Sequence, residues 1–138
     1  MTWFVWALLS AFFAGLTAVL AKVGVQQIDS NLATAIRTVV ILIFAWAVAL
    51  ATKNQAFSQI GQKTWIFLIL SGIATGLSWL CYFRALQLGE ASQVAPVDKL
   101  SVVVAIALAA IFLRESLTWH HWIGGALIFA GAVVLAYA

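Results

Sequence analysis

The chain contains very little charge for its length. Only 8% of its 138 residues are charged, whereas 65% are hydrophobic. A water-soluble domain carries charge on roughly a quarter of its residues, because its surface has to be hydrated. A surface that faces hydrocarbon needs no such hydration, so the composition excludes an ordinary soluble domain and indicates an integral membrane protein.

Several kinds of chemistry lack the residues that they need. Cys81 is the single cysteine, so no disulfide can form within the chain and no cysteine spacing suits a metal. His120 and His121 stand side by side, with no cysteine or carboxylate at ligand spacing. No serine, histidine and acid are arranged as a nucleophile with its base. We therefore expect no metal, no cofactor and no enzymatic activity.

The basic residues are too scattered to bind nucleic acid. Seven lysines and arginines stand against four acidic residues, for a net charge of +3, but they form no run of like charge. Lys53, Lys63 and Arg114 lie at the ends of apolar runs, where they would anchor helices at the membrane surface. No basic stretch of a cleaved signal peptide precedes the first apolar run, so we expect the spans themselves to direct insertion into the inner (plasma) membrane.

Five apolar runs are each near the length that crosses about 30 Å of hydrocarbon as a helix. None shows the alternation of a transmembrane β-strand, and helices satisfy their own backbone in lipid. The sequence therefore predicts an all-α integral membrane protein, a single domain over 1–138. Pro96 is expected in the first turn of the fourth helix, where its missing N–H costs nothing. The predicted spans are 3–22, 32–52, 64–88, 95–113 and 118–138.

The odd number of spans places the two termini on opposite sides of the membrane. The side of the N-terminus carries three basic residues, namely Lys53, Lys63 and Arg114. The other side carries four, namely Lys22, Arg37, Arg84 and Lys99. The positive-inside rule therefore gives little preference for either orientation, although the loop lysines alone favour an inside N-terminus. Insertion in both orientations stays open.

Several charged residues must lie below the membrane surface on one side. The uncharged run 38–52 reaches only about 22 Å as a helix and the run 100–113 about 21 Å. The second span must therefore extend past Arg37, and the fourth must include Asp98 and Lys99. Arg84 lies near the edge of the third span on the same side. Ionisable residues at such depth usually face a water-filled cavity or pair with one another.

Two interpretations of this polar layer stay open. In the first, Lys99 and Arg84 extend to lipid headgroups while Arg37 and Asp98 form a structural ion pair. In the second, the layer lines a solvated vestibule of net positive charge, with an aromatic wall one turn deeper. Such a vestibule would prefer a small ligand that bears a carboxylate, a phosphate or a zwitterion. The predicted substrate-binding and gating residues are Arg37, Trp79, Tyr82, Arg84, Asp98 and Lys99.

Small residues recur at helix-packing intervals on three spans. The first span has Ala11 with Gly15, the third has Gly72 with Gly76, and the fifth has Gly124 with Gly131. Small side chains at this spacing let the backbones of membrane helices approach closely. We interpret these faces as packing surfaces rather than as a ligand site.

Three stretches resemble the EamA domain of the drug/metabolite transporter superfamily. The most specific is FLRESLTWHHWIGGALIFAGAVVLA (112–136), with a glutamate after a leucine of the fourth helix, then Leu-Thr, then a glycine-rich fifth helix. AKVGV (21–25) and ALQLGEASQVAP (85–96) also resemble that family. The resemblance covers the whole chain. It implies a five-helix unit that usually occurs twice per polypeptide as two inverted repeats.

This chain carries one such unit. The resemblance therefore implies pairing with a second copy, as an antiparallel homodimer that recreates the inverted repeats and packs through the glycine and alanine faces. It implies a secondary transporter that exports a small metabolite or amphipathic compound. Smaller four-helix multidrug-resistance relatives pair in the same way, but the acidic residue in their first helix is absent here. Two alternatives remain, a non-transporting membrane subunit or scaffold, and a component of a lipid-carrier flippase.

Overall fold

A computed structural model describes residues 2–52 and 60–137. Within these ranges the chain is helical, with no β-strand. Lys53, which the sequence predicts as a membrane anchor, and the predicted end of the last span at residue 138 lie outside the described residues. The helices are α1 Trp3–Val25, α2 Ser30–Thr52, α3 Gln62–Leu88, α4 Ala91–Asp98, α5 Ser101–Phe112 and α6 Trp119–Ala136.

Five helical spans are long and apolar enough to cross a membrane. They are α1, α2, α3, the combined stretch Ala91–Phe112 and α6, with mean hydropathy between 1.4 and 2.2. At most 11% of the most apolar window in any of them is buried within the chain. Exposed apolar surface of this extent is stable where lipid covers the side chains. The prediction of an all-α membrane protein with five spans is confirmed.

The fourth span begins earlier than the sequence predicts. Its first helix starts at Ala91, so Pro96 lies inside α4, and the predicted place of Pro96 in the first turn is wrong. Glu90 is the residue that starts the helix, since its backbone is extended and its carbonyl accepts the N–H groups of Gln93 and Val94. The Glu90 side chain makes no capping hydrogen bond. Because the start relies on backbone contacts alone, no N-cap signal marks it in the sequence.

The fourth span is also divided into two helices. The N–H groups of Lys99 and Leu100 donate to the carbonyls of Pro96 and Val97, each at 3.0 Å and three residues back rather than four. Such bonds wind the chain more tightly than an α-helix does. Pro96 removes the N–H that would bond to the Ser92 carbonyl, so the turn before the break lacks one helical hydrogen bond. The break between α4 and α5 therefore falls directly beside Asp98.

The described helices form two compact units. One contains α1 up to Val23 and the chain from Leu88 onward, with α4, α5 and α6. The other runs from Gly24 to Gln87 and contains α2 and most of α3.

In the first unit α6 packs against both α4 and α5. Gly125 and Ala132 are the buried residues of α6, and a methyl group on Gly125 would lie 3.8 Å from Cδ1 of Ile106. The pair expected from the sequence, Gly124 and Gly131, lies one residue earlier, and a methyl group on either would meet no atom within 4 Å. Both pairs are seven residues apart, so spacing alone could not separate two neighbouring faces of the helix.

In the second unit the best-buried side chains belong to the end of α3 and to the last residue of α1. Val25 and Leu86 are fully buried, and Phe83 is 3% exposed. Thr34, also buried, donates its hydroxyl to the Ser30 carbonyl at 2.8 Å. That bond pairs the buried hydroxyl within its own helix. The first turns of α2 can therefore be buried without leaving this hydroxyl unpaired.

Candidate functional site

Arg37 extends from α2 onto an aromatic face of α3. Its guanidinium carbon Cζ lies 4.4 Å from the ring centroid of Trp79 and 5.4 Å from that of Phe83. Trp79 and Phe83 are four residues apart and therefore share one side of their helix. Both distances are within the range of a cation–π attraction. The two helices thus hold a cation against a pair of aromatic rings.

The Arg37 group lies well inside the spans. Arg37 is about 10 Å along α2 from Ser30, and Trp79 is about 13 Å from the end of α3 at Leu88. An arginine at the centre of a membrane span costs about 2.5–3.5 kcal/mol on insertion scales, and less near the ends. A cation–π contact contributes about 0.5–2 kcal/mol, depending on desolvation. The two rings therefore offset a substantial part of the cost of placing Arg37 there.

Tyr82 belongs to the same part of α3. Its ring meets Phe83 at 65° with the centroids 6.4 Å apart, an edge-to-face contact. Tyr82 and Trp79 are both half-buried, whereas Phe83 is buried. Three of the predicted site residues, Arg37, Trp79 and Tyr82, therefore lie on two adjoining elements of one unit. Phe83 completes the group and was missed because one more phenylalanine in an apolar run gives no signal except its spacing from Trp79.

The net charge of the protein is concentrated in the unit Gly24–Gln87. That segment has four basic residues and one acid, Asp29, whereas the rest of the chain has three of each. The Asp29 carboxylate caps α2, since Oδ1 accepts the N–H groups of Asn31 at 2.9 Å and Leu32 at 3.0 Å. No carboxylate forms an ion pair with Arg37 within the described part of this unit. Within this unit the Arg37 cation is therefore balanced by aromatic rings and not by an acid.

A second polar group lies at the end of α3. Nε2 of Gln87 donates to the carbonyls of Val25 at 3.1 Å and Ile28 at 2.7 Å, and its Oε1 accepts a bond from Nη1 of Arg84 at 3.0 Å. Val25 ends α1, so its carbonyl has no acceptor role within that helix. Gln87 thus holds the α1–α2 connection against α3 and orients the exposed Arg84. Gln87 was not among the predicted site residues. The signal that could have identified it is a polar amide side chain near the end of a long apolar run.

Asp98 and Lys99, the remaining predicted site residues, belong to the other unit and contact each other. Nζ of Lys99 lies 3.3 Å from Oδ2 of Asp98, with the side chains 55% and 35% exposed. An exposed ion pair of this kind contributes about 0–1 kcal/mol. The pair therefore marks the break between α4 and α5 without accounting for its stability. The pairing of Arg37 with Asp98 stays a prediction.

The first unit also has a polar contact between α1 and the start of α4, and a groove between α5 and α6. Nζ of Lys22 donates to the Gly89 carbonyl at 2.8 Å and joins the end of α1 to the start of α4. A groove of about 290 Å³ lies between α5 and α6, where Val103, Trp122 and Phe129 contribute to an almost wholly apolar lining. Among the described residues no group of three or more histidines, cysteines and acids could hold a metal ion.

A sequence profile of the EamA-like transporter family matches residues 1–137, nearly the whole chain. The chain belongs to the EamA-like transporter family. It is therefore a multi-pass membrane transporter of the drug/metabolite kind, and members of this family are generally not enzymes. The resemblance drawn from the closing motif and the two shorter stretches is confirmed.

Curated relatives agree with the EamA assignment. An uncharacterized transporter from the cobO 3′ region of a Sinorhizobium species is 57% identical over 98% of this chain and 96% of its own length. An uncharacterized protein of Methanocaldococcus jannaschii is 29% identical over 94% and 92%. The probable 4-amino-4-deoxy-L-arabinose-phosphoundecaprenol flippase subunit ArnE of Aeromonas salmonicida is 29% identical over 50% of this chain and 60% of its own. No solved structure matches.

Proposed function

We propose that this EamA-family protein is a secondary transporter that exports a small amphipathic metabolite across the plasma membrane. The observation that carries the proposal is Arg37, half-buried about two turns inside a span and held by Trp79 and Phe83. Ionisable residues at such positions commonly mark a substrate or ion pathway. A scaffold helix would reach the same membrane stability with an apolar residue at this position, and at lower cost.

The proposed working unit is a homodimer. Gly72 and Gly76 form a GxxxG pair on α3, and a methyl group on either would meet no atom within 4 Å. This close-packing face is therefore open in the single chain, and such faces are where membrane helices associate. The nearly equal numbers of basic residues on the two sides also permit insertion in both orientations, as an antiparallel dimer requires.

An antiparallel dimer would place one Arg37 group towards each membrane surface. The two groups would then act as two gates of one pathway, and the substrate would pass from one to the other as access alternates. Trp79 supplies the ring wall beside Arg37. Arg84, Tyr82, Asp98 and Lys99 complete the proposed binding and gating set. In this mechanism the protein forms no covalent bond with its substrate and needs no cofactor.

Flux through reconstituted protein tests the proposal. Three radiolabelled aromatic probes of different charge would be used, namely phenylalanine, phenyl phosphate and tetraphenylphosphonium. At least one probe should cross proteoliposome membranes faster than it crosses protein-free liposomes. Counterflow, in which unlabelled probe inside accelerates uptake of labelled probe, would distinguish a carrier from a leak.

Variants make the flux experiment specific to the Arg37 group. Arg37→Gln and Asp98→Asn should each abolish flux while the protein still inserts and elutes as the wild type does in detergent. Lys63→Gln removes an exposed charge at the start of α3 and should leave flux intact. Full flux in both site variants, or no flux of any probe through the wild type, would contradict the proposal and favour a scaffold.

A second candidate function is that of a subunit in a lipid-carrier flippase. The similarity to ArnE, which is named as a probable flippase subunit, favours it, although that similarity covers half of this chain. The apolar groove of about 290 Å³ between α5 and α6 could hold part of an acyl or isoprenoid chain. Lipid movement that requires a second, different membrane protein would support this function over independent transport.

A further inference from the structure

We propose that the Arg37 group binds the oxyanion of its substrate, a carboxylate or a phosphate carried by a molecule with an aromatic or otherwise apolar body. This inference rests on the proposed transport function and deepens it by naming the class of substrate. It follows from the free edge of the Arg37 guanidinium, from the distribution of charge, and from the half-exposed rings beside it.

The contacts of Arg37 leave the hydrogen-bonding edge of its guanidinium open. The rings of Trp79 and Phe83 meet the guanidinium carbon at 4.4 and 5.4 Å and satisfy its charge, but they accept no conventional hydrogen bond. The group has five N–H donors in a planar fork, a geometry that matches carboxylate and phosphate oxygens two at a time. Among the described residues Arg37 donates no hydrogen bond to a side chain or to the backbone.

The unused donors of Arg37 are also accessible. Among the described residues, every side-chain nitrogen or oxygen that is fully buried has a hydrogen-bond partner. Since the Arg37 N–H groups have no partner, their nitrogens must retain exposed surface.

The charge of the unit favours an anion over a cation. Two of its four cations, Arg37 and Arg84, belong to the same side of the membrane, and its one carboxylate, that of Asp29, caps the start of α2. A cationic ligand would meet Arg37 as a like charge and would find one aromatic surface already covered by the guanidinium. An anion would instead gain charge-assisted hydrogen bonds, which are about twice as strong as neutral ones.

The rings beside Arg37 select the rest of the ligand. Trp79 and Tyr82 are half-buried and stand three residues apart on α3, so they offer apolar surface next to the guanidinium. An inorganic anion would contact only the N–H donors of the Arg37 guanidinium, whereas an anion with an aromatic body would also pack against the rings of Trp79 and Tyr82. We therefore expect phenyl phosphate to bind more tightly than inorganic phosphate.

Binding to purified protein in dodecyl maltoside tests the inference separately from transport. The ligands are phenyl phosphate, inorganic phosphate, benzyl alcohol as a neutral analogue and tetraphenylphosphonium as a cation, each titrated by calorimetry. Phenyl phosphate should bind best. Arg37→Gln should weaken its binding by roughly ten- to a hundredfold, and Arg37→Lys, which keeps the charge without the planar fork, by less. Lys63→Gln, which removes an exposed cation from the same unit, should bind like the wild type.

A further titration distinguishes a soluble anion from a lipid headgroup. The protein would be placed in nanodiscs of phosphatidylcholine alone or with phosphatidylglycerol. If phosphatidylglycerol suppresses phenyl phosphate binding in the wild type and in Lys63→Gln, the oxyanion belongs to a lipid, and if binding is unchanged, it belongs to a soluble molecule. Both results support an oxyanion site at Arg37.

Other results overturn the inference and are separable from the transport proposal. Absence of phenyl phosphate binding, equal binding in Arg37→Gln, or tighter binding of tetraphenylphosphonium would each exclude an oxyanion site. Carrier-mediated flux of tetraphenylphosphonium with none of phenyl phosphate would overturn this inference and leave the transport function intact. Binding of phenyl phosphate at Arg37 without flux of any probe would support this inference and overturn the transport proposal.

Discussion

His120 and His121 are neighbours in the sequence, yet their contacts differ. The ring of His120 lies against Trp119 with the centroids 4.0 Å apart. Nδ1 of His121 instead accepts the backbone N–H of Thr118 at 3.1 Å and lies 2.9 Å from its hydroxyl oxygen. Thr118 is the N-cap of α6, so His121 occupies the reciprocal position of a capping box. His121 thus helps to start α6, whereas His120 lies outside the cap.

The capping role predicts unequal effects of two alanine substitutions. His121→Ala removes the acceptor for the Thr118 N–H at the first turn of α6 and should lower stability by about 1 kcal/mol. His120→Ala removes a ring contact outside the cap and serves as the matched control, with a smaller loss. The measurement is the apparent midpoint of thermal unfolding in dodecyl maltoside. Equal midpoints for the two variants would show that the His121 contact stabilises the start of α6 no more than the ring contact of His120 does.

The depth of Arg37 was predictable from the sequence, but its partners were not. Span length alone requires the second helix to extend past Arg37, and α2 does begin at Ser30. The direction in which Arg37 extends depends on how α2 and α3 are rotated about their axes. Every face of α3 is rich in apolar residues because lipid tolerates them all, so no hydrophobic period identifies the face with Trp79 and Phe83. The same uniformity hid the difference between the two glycine faces of α6.

At the level of elements, the five long helical spans were predicted correctly from the sequence, but the start of the fourth span and the break within it were not. The five spans follow from the number of residues needed to cross hydrocarbon, a constraint that leaves little freedom. The start of α4 depends on the backbone of Glu90, and its end depends on the three-residue bonds around Lys99. Neither feature requires a particular side chain. Pro96 was expected at a helix start because that is where proline fits best, but lipid-embedded helices also accept it internally.

Pro96→Ala tests whether proline maintains the break between α4 and α5. Alanine restores an N–H that can bond to the Ser92 carbonyl and removes the ring that crowds that turn. We expect Ala91–Phe112 to become one continuous helix. Amide hydrogen exchange at Lys99 and Leu100 should slow by roughly tenfold or more, as each gains a four-residue helical bond. Exchange near the end of α5, at Ile111, is the internal reference. An unchanged rate at Lys99 would show that Pro96 does not maintain the break.

For the whole molecule, the distribution of charge has two consequences. The excess of basic residues belongs entirely to Gly24–Gln87, which also contains the Arg37 group, and the remainder of the chain is balanced. Counted along the spans, however, the basic residues divide three to four between the two sides of the membrane. Arg37 and Arg84 on one side of the membrane favour the proposed anionic ligand, whereas the even division between the sides leaves the orientation of insertion undetermined. The distribution of charge is therefore compatible both with the proposed binding site and with the proposed antiparallel dimer.

Reporters at the C-terminus test the orientation directly. Green fluorescent protein is active when it stays inside the cell, and alkaline phosphatase when it is exported, so two fusions of the wild type should both be active. Arg114→Gln leaves two basic residues on the N-terminal side against four on the C-terminal side. It should raise fluorescence, because the more basic C-terminal side then stays inside more often. Arg84→Gln removes one from the opposite side and should raise phosphatase activity. One silent reporter in the wild type and in both variants would exclude the antiparallel dimer, since every copy would then insert in the same direction.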